Sequence, residues 1–274
     1  MQATCPKPSE IPVFILAGGL GTRISEESQL RPKPMIEIGG DPILLHVMRT
    51  YYHFGFNDFV ICAGYRAWDI KQFLLNYGFR KTHLAIDHRK SIDTAPESFG
   101  PVADQENWRV RVIDTGVDCM TGGRVARAFD EIKSEKFEHF AVTYGDGVSD
   151  VALDQELKSH LDSGNIGTVL GVHPIARFGE LTIDKSMKVT DFSEKPQSRS
   201  DWINGGFFFF DRKFRDYLSL EPECVLEKAP LHKLARDGRL SMFPHEGFWH
   251  PMDTLRDKNY LESLVTEKKA AWIR

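Results

Sequence analysis

Cysteine is scarce in this chain: four among 274 residues, Cys5, Cys62, Cys119 and Cys224, with no C-x-x-C pair and no short spacing between any two. That spacing excludes a zinc ribbon and a small disulfide-stapled scaffold, and predicts reduced thiols. No stretch reaches the ~18 apolar residues that a membrane span needs, and the first residues lack the basic-then-apolar pattern of a secretory leader. Long runs of Lys or Arg are also missing, and the net charge is −4, so the electrostatic footprint of non-specific nucleic-acid or anionic-membrane binding is absent. The expectation is a cytoplasmic protein with neither nucleic acid nor membrane as partner. A composition of 41% hydrophobic and 27% charged residues excludes disordered, collagen-like and coiled-coil chains. Any phosphate chemistry must therefore come from a local site.

No Pro/Gly/Ser-rich linker divides the chain, which predicts one domain over 11–274 after a mobile extension, 1–10. Val13 to Ala17 is a continuous apolar run stopped by Gly18-Gly19, the pattern of a strand buried on both faces of a parallel sheet. Asp41-Pro42 offers an N-cap and a first-turn proline for a helix through about Phe54. Strand-like and helix-like segments then alternate: Asp58 to Cys62, Ala67 to Asn76, Arg109 to Asp114, Arg124 to Ile132, His139 to Tyr144, Ala152 to Ser163 and Thr168 to Val172. The fold class predicted is α/β, doubly wound around a mostly parallel, mixed sheet. In the C-terminal half, shorter runs (Leu181 to Ile183, Val189 to Phe192, Gly206 to Phe210, Leu240 to Phe243) read as antiparallel additions to the same sheet. Gly78 to Trp108 has no stable periodicity, the mark of a lid, an arm or a missed element.

Several short segments carry chemistry. Leu16-Ala17-Gly18-Gly19-Leu20-Gly21-Thr22-Arg23 follows the first strand; its glycines free backbone N–H groups to face an anion, and Arg23 adds a charged fork suited to phosphate oxygens. A tight turn with no ligand is the other use of such a loop. It is neither a Walker A loop nor a dinucleotide fingerprint, since no Gly-Lys-Ser/Thr follows and Ile24 stands where a third glycine belongs. Lys33, between Pro32 and Pro34, is expected on a stiff, extended segment that suits a pre-oriented ammonium, with a solvated lysine in a surface turn as the plain alternative. Asp146, in Tyr144-Gly145-Asp146-Gly147, ends an apolar strand at the sheet edge where open α/β folds bind ligands; an Asp-Gly turn is the plain alternative. Thr254 and Asp257 have capping-box spacing, which leaves Asp253 without a structural task unless Asp253 is itself the N-cap. Lys195, beside Glu194, suits a second phosphate or a charged hairpin end. Asn204-Gly205 suits a hydroxyl-rich ligand or a turn. Met120-Thr121-Gly122-Gly123-Arg124 opens a helix whose N-terminus suits a base or phosphate.

Taken together, GGLGTR at 18–23, PKP at 32–34, TGGR at 121–124, YGDG at 144–147, EKP at 194–196, INGGFF at 203–208 and PMDTLRD at 251–257 resemble the sugar-phosphate nucleotidyltransferases over about 11–272. SEES at 25–28 and GFW before PMDTLRDKNYLE point within that family to its cytidylyl-transferring branch. The resemblance implies a Rossmann-like, GT-A-like domain, with CTP and a sugar 1-phosphate (glucose 1-phosphate in that branch) as substrates and CDP-sugar and pyrophosphate as products. Arg23, Lys33, Asp146 and Asp253 match its catalytic positions, and Asp146 and Asp253 its Mg²⁺ ligands. Leu16, Ala17, Gly18, Gly19, Leu20, Gly21, Thr22, Arg23, Lys33, Cys119, Thr121, Gly122, Arg124 and Gly145 fall where the family holds the nucleotide. Glu194, Lys195, Asn204 and Gly205 fall in its sugar-phosphate region. Cys119 departs from the Ser or Thr usual there. The resemblance also implies a homo-oligomer, a hexamer, and a place in surface-polysaccharide synthesis.

Overall fold

Strand β1, Val13–Ala17, is apolar throughout because helices cover both of its faces. Val13, Ile15 and Ala17 point into one buried cluster and Phe14 into another. The computed structural model describes residues 6–24, 27, 31–87, 97–99, 106–174, 180–193 and 201–274. The first five residues of the expected extension lie outside these; Pro8–Glu10 forms a short helical turn ahead of the buried Ile11.

Six further strands complete the central sheet: β2 (Asp58–Ala63), β3 (Arg109–Asp114), β4 (His139–Tyr144), β5 (Gly167–Val172), β6 (Ile203–Asp211) and β7 (Leu240–His245). Their spatial order is β7-β5-β6-β4-β1-β2-β3. Every pairing is parallel except the two made by β6. The doubly wound expectation holds, with one change in the C-terminal half. Among the described residues only β6 is an antiparallel addition, and it lies between β4 and β5 rather than at an edge. Its four phenylalanines, Phe207 to Phe210, are all buried, two toward each cluster, as a strand enclosed on both faces requires. Strand β7 runs parallel to β5. Glu180–Ile183 and Val189–Ser193 form a separate hairpin, outside the sheet.

Helices α1 (Ile43–His53), α2 (Ala67–Asn76) and α4 (Leu153–Ser163) cover one face, while α3 (Thr121–Ile132) and α5 (Ala229–Arg236) cover the other. Helix α6 (Leu255–Thr266) packs Leu261 with Ile36, Ile38, Val148 and Met252 in a third, smaller cluster. The start of α1 differs from expectation. Asp41–Pro42 pairs with Glu37–Ile38 as a two-residue ribbon, Pro42 stands at the N-cap, and the Asp41 carboxylate accepts from Arg49 at 2.6 Å. In the aperiodic stretch, His83–Ala85 pairs with Glu97–Phe99. Three-residue strands are too short to show alternation.

After β1 the chain builds β2 and β3 on one side and then crosses to place β4 on the other. The order of strands therefore reverses between β1 and β4, and their carboxyl ends flank the crevice where open α/β sheets bind ligands.

Candidate active site

Two strand exits meet at that crevice. Gly145, just beyond β4, donates its N–H to the Leu16 carbonyl at 3.0 Å. A Cβ on Gly145 would stand 2.8 Å from that same carbonyl oxygen, so only glycine lets the two exits approach so closely. Gly145→Ala is expected to destabilise the fold by about 2 kcal/mol through this backbone clash, read as a lowered denaturant midpoint; an unchanged midpoint would show that the two exits have room to part.

Asp146 and Asp253, 107 positions apart, are brought together by a short antiparallel ribbon of Gly147–Ser149 and Trp249–Pro251, in which Gly147 faces Pro251. Beyond the ribbon, the Met252 N–H donates to the Asp146 carbonyl at 2.8 Å. The capping box at the start of α6 then holds the next turn. Thr254 Oγ1 accepts from the Asp257 N–H at 3.2 Å, and Asp257 Oδ2 accepts from the N–H groups of Thr254 at 2.8 Å and Asp253 at 3.1 Å. Thr254 is the N-cap; Asp253 is not, and its side chain turns to the crevice.

Lys33 sits between the two carboxylates. Its Nζ donates to Asp146 Oδ2 at 2.6 Å and to Asp253 Oδ1 at 2.8 Å. Pro32 is extended, but Lys33 opens a tight turn over Lys33–Met35 instead of continuing the expected extended segment, and it is only 8% exposed. Burial pushes the ammonium's pKa down, but the two carboxylates outweigh burial and leave it above the ordinary lysine value, so it stays charged. Magnesium is commonly held by one or two carboxylates, with phosphate and water oxygens completing its shell. The Asp146 and Asp253 pair fits that pattern. Among the described residues no group of three His, Cys, Asp or Glu side chains is placed to hold a metal, so an ion here would share its shell with substrate.

The glycine loop leaves β1 with the Gly18 carbonyl accepting from the Tyr65 N–H at 3.2 Å and from Arg124 Nη2 at 2.9 Å. Gly21 has φ +66°, a left-handed turn that favours glycine. Leu16 and Ala17 end the strand, Leu20 is exposed, and Thr22 begins a short helical turn. The backbone of Arg23 lies in that turn; its side chain, like all of Glu194 and Lys195, falls outside the described residues.

The contacts of Arg124 differ from those of a charge held out to a ligand. Arg124 is buried, 4% exposed, and its guanidinium donates to Thr115 Oγ1 at 2.8 Å and to the carbonyls of Ala63, Gly116, Gly18 and Val117 at 2.8 to 3.2 Å. It ties the exits of β1 and β2 together from beneath instead of offering a charge to a ligand. Residues 221–226 pack against the first turn of α3. Gly123 donates its N–H to the Cys224 carbonyl at 3.0 Å, and a Cβ on Gly122 or Gly123 would collide with this segment, meeting Cys224 Sγ at 2.7 Å or the Glu221 carbonyl at 2.8 Å. Cys119 is also buried, its Sγ 2.7 Å from where a Gly123 Cβ would stand. The glycines serve close packing here.

Thr121 bonds a partner that no motif in the sequence announces. Thr121 Oγ1 donates to Glu227 Oε2 at 2.7 Å, and the Tyr144 hydroxyl donates to Glu227 Oε1. Asn204 Nδ2 donates to the Tyr144 hydroxyl at 3.1 Å, while the Gly205 carbonyl accepts from Trp249 Nε1 at 2.6 Å.

A nucleotidyl transferase family model matches residues 12–250. The chain belongs to the nucleotidyl transferase family. It is 42% identical over 266 residues to the glucose-1-phosphate cytidylyltransferase of Salmonella typhimurium, covering 94% of this chain and 97% of that one. It is 36% identical to the probable glucose-1-phosphate cytidylyltransferase of Bacillus subtilis, with the same shares covered. Among solved structures, a putative glucose-1-phosphate thymidylyltransferase from Bacillus anthracis superposes with a TM-score of 0.64 at 18% identity, covering 96% of each chain. HddC from Yersinia pseudotuberculosis also superposes with 0.64, at 24% identity, over 93% of this chain and 99% of that one. At these identities the two structures speak for the shared fold of this nucleotidyl transferase. Among its described residues, no helix is long and apolar enough to cross a membrane.

Proposed function

We propose that this nucleotidyl transferase moves the cytidylyl group of CTP onto α-D-glucose 1-phosphate. The observation that carries the proposal is the meeting of Lys33, Asp146 and Asp253 at the exit of the glycine-loop strand, in a chain that matches glucose-1-phosphate cytidylyltransferases over 94% of its length. A phosphate oxygen of the sugar 1-phosphate attacks the α-phosphorus of CTP in line. The new P–O bond forms as the bond to the β-phosphate oxygen breaks, giving CDP-glucose and pyrophosphate. The attacking monoester is already ionised at neutral pH, so no protein base or nucleophile is needed, and the protein's task is positioning and charge neutralisation.

In this reading the loop of Gly18 to Thr22, with Arg23, cradles the triphosphate, and Lys33 brings a fixed positive charge to the reacting phosphate. Asp146 and Asp253 are the residues that would hold Mg²⁺, whose chemistry when bound is to neutralise phosphate oxygens and the departing pyrophosphate. Asn204, Glu194 and Lys195 are assigned to the sugar side by resemblance. Self-association is part of the proposal. The 180–193 hairpin leaves Leu181, Ile183, Val189 and Phe192 exposed on one face, a surface consistent with it.

The test is turnover with each of CTP, UTP, dTTP and GTP against glucose 1-phosphate and other sugar 1-phosphates, with light scattering on the same preparation. CTP with glucose 1-phosphate is expected to give the highest kcat/KM. A clear preference for another nucleotide would overturn the assignment of the base while leaving the transfer chemistry in place.

A further inference from the structure

Glu227 lies outside every motif singled out in the sequence. It is carried in by the segment that packs against the first turn of α3, whose docking explains why Gly122 and Gly123 lack side chains. Its carboxylate spans two parts of the site: Oε2 accepts from Thr121, the first residue of α3, and Oε1 from Tyr144, the last residue of β4 and two before Asp146. Each hydroxyl is in turn fixed from behind. Thr121 Oγ1 accepts from the Leu226 N–H at 2.9 Å, and the Tyr144 hydroxyl accepts from Asn204 Nδ2, while Asn204 Oδ1 accepts from the Gly206 N–H at 2.8 Å. The ring of Tyr144 is itself wedged against Gly206, where a Cβ would stand 2.3 Å from it.

We infer that Glu227 is a positioning residue that couples the nucleotide side of the site, through Thr121, to the sugar-phosphate side, through Tyr144 and Asn204. The inference rests on the cytidylyl-transfer reading above, with Thr121 and Asn204 assigned to the nucleotide and sugar-phosphate sides by the resemblance. The chemistry favours a carboxylate over any other group at this point. An ionised carboxylate only accepts hydrogen bonds, so both hydroxyls must donate to it, and the Tyr144 oxygen is left to receive the Asn204 amide. That direction sets which amide atom Asn204 presents. A glutamine at 227 would donate at one end, reverse one hydroxyl and break the relay while preserving shape.

The experiment is a set of double-mutant cycles read as separate KM values for CTP and glucose 1-phosphate, with kcat. Tyr144→Phe and Thr121→Val each delete one hydroxyl. Each is expected to raise the KM for the substrate on the far side as well as the near one, with Thr121→Val raising the KM for glucose 1-phosphate by about tenfold, the loss of a hydrogen bond to a charged group. Combined, they should cost little more than either alone, and neither should add more than about twofold once Glu227→Gln is present. Effects that multiply independently, or a Thr121→Val enzyme with an unchanged KM for glucose 1-phosphate, would overturn the coupling. The Thr121 and Tyr144 pair keeps Glu227 in place, so the test stands even where a Glu227 variant fails to fold. A wild-type chain that turns over well while its variants act independently refutes the coupling alone; a wild-type chain inactive with CTP and glucose 1-phosphate refutes the underlying reading as well.

Discussion

Lys33→Ala is expected to lower kcat at least about a hundredfold, because in the proposed reaction it removes a preorganised charge beside the reacting phosphate. The geometry sharpens this expectation. The ammonium that would be lost bridges Asp146 and Asp253, so the variant also leaves two carboxylates facing each other with less to oppose their repulsion. The KM for CTP should therefore rise together with the fall in kcat, since an incoming triphosphate meets a more negative crevice. Lys33→Arg keeps the charge, but its planar fork does not reproduce a compact ammonium and should recover only part of the rate. Steady-state kinetics of both variants decide the matter; near-normal turnover in Lys33→Ala would remove Lys33 from the chemistry.

Glu156→Gln is expected to stabilise the protein by about 3 kcal/mol at pH 7 and to change little at pH 4. Glu156, on α4, is fully buried, and neither carboxylate oxygen has a hydrogen-bond partner among the described residues. Burial alone pushes its pKa from an ordinary 4.5 up to about 8. The folded chain thus keeps this proton to about pH 8, whereas the unfolded chain releases it near pH 4.5. Between those values the folded state binds more protons, so stability falls as pH rises, by about 1.4 kcal/mol per unit. The glutamine variant has no such proton to hold and loses that slope. Chemical denaturation of both proteins at pH 4, 6 and 8 measures it. A stability difference independent of pH would mean that Glu156 does not titrate between the folded and unfolded states.

The fold was legible where one strand or helix carries its own pattern. The all-apolar run of β1, the glycine stop after it and the Thr254 capping box each state a local requirement that the structure meets. Placement across the sheet was less legible. Phe207 to Phe210 read as core, and four consecutive buried phenylalanines are the sign of an enclosed strand, yet nothing local says that β6 enters between β4 and β5 or that β7 returns parallel. Those outcomes depend on the crossovers that join the strands. In the site, Asp253 was visible as the residue that the capping box leaves over, Asp146 by its place at a strand end and Lys33 by its flanking prolines, and the structure brings all three together. Arg124 was less legible for a physical reason: beside Gly122-Gly123 a guanidinium looks like a ligand contact, whereas the glycines mark where another segment packs, and the arginine satisfies carbonyls beneath the loop. Glu227 was invisible because its meaning lies wholly in what the fold places around it.

The ribbon of Gly147–Ser149 and Trp249–Pro251 has a consequence for how the enzyme comes into being during translation. A nascent chain that has left the ribosome through residue 200 already carries the glycine loop, Lys33 and Asp146, but its second carboxylate has yet to be synthesised. On the proposed mechanism the site is therefore complete only when Trp249 to Asp253 emerge and pair with a strand made long before.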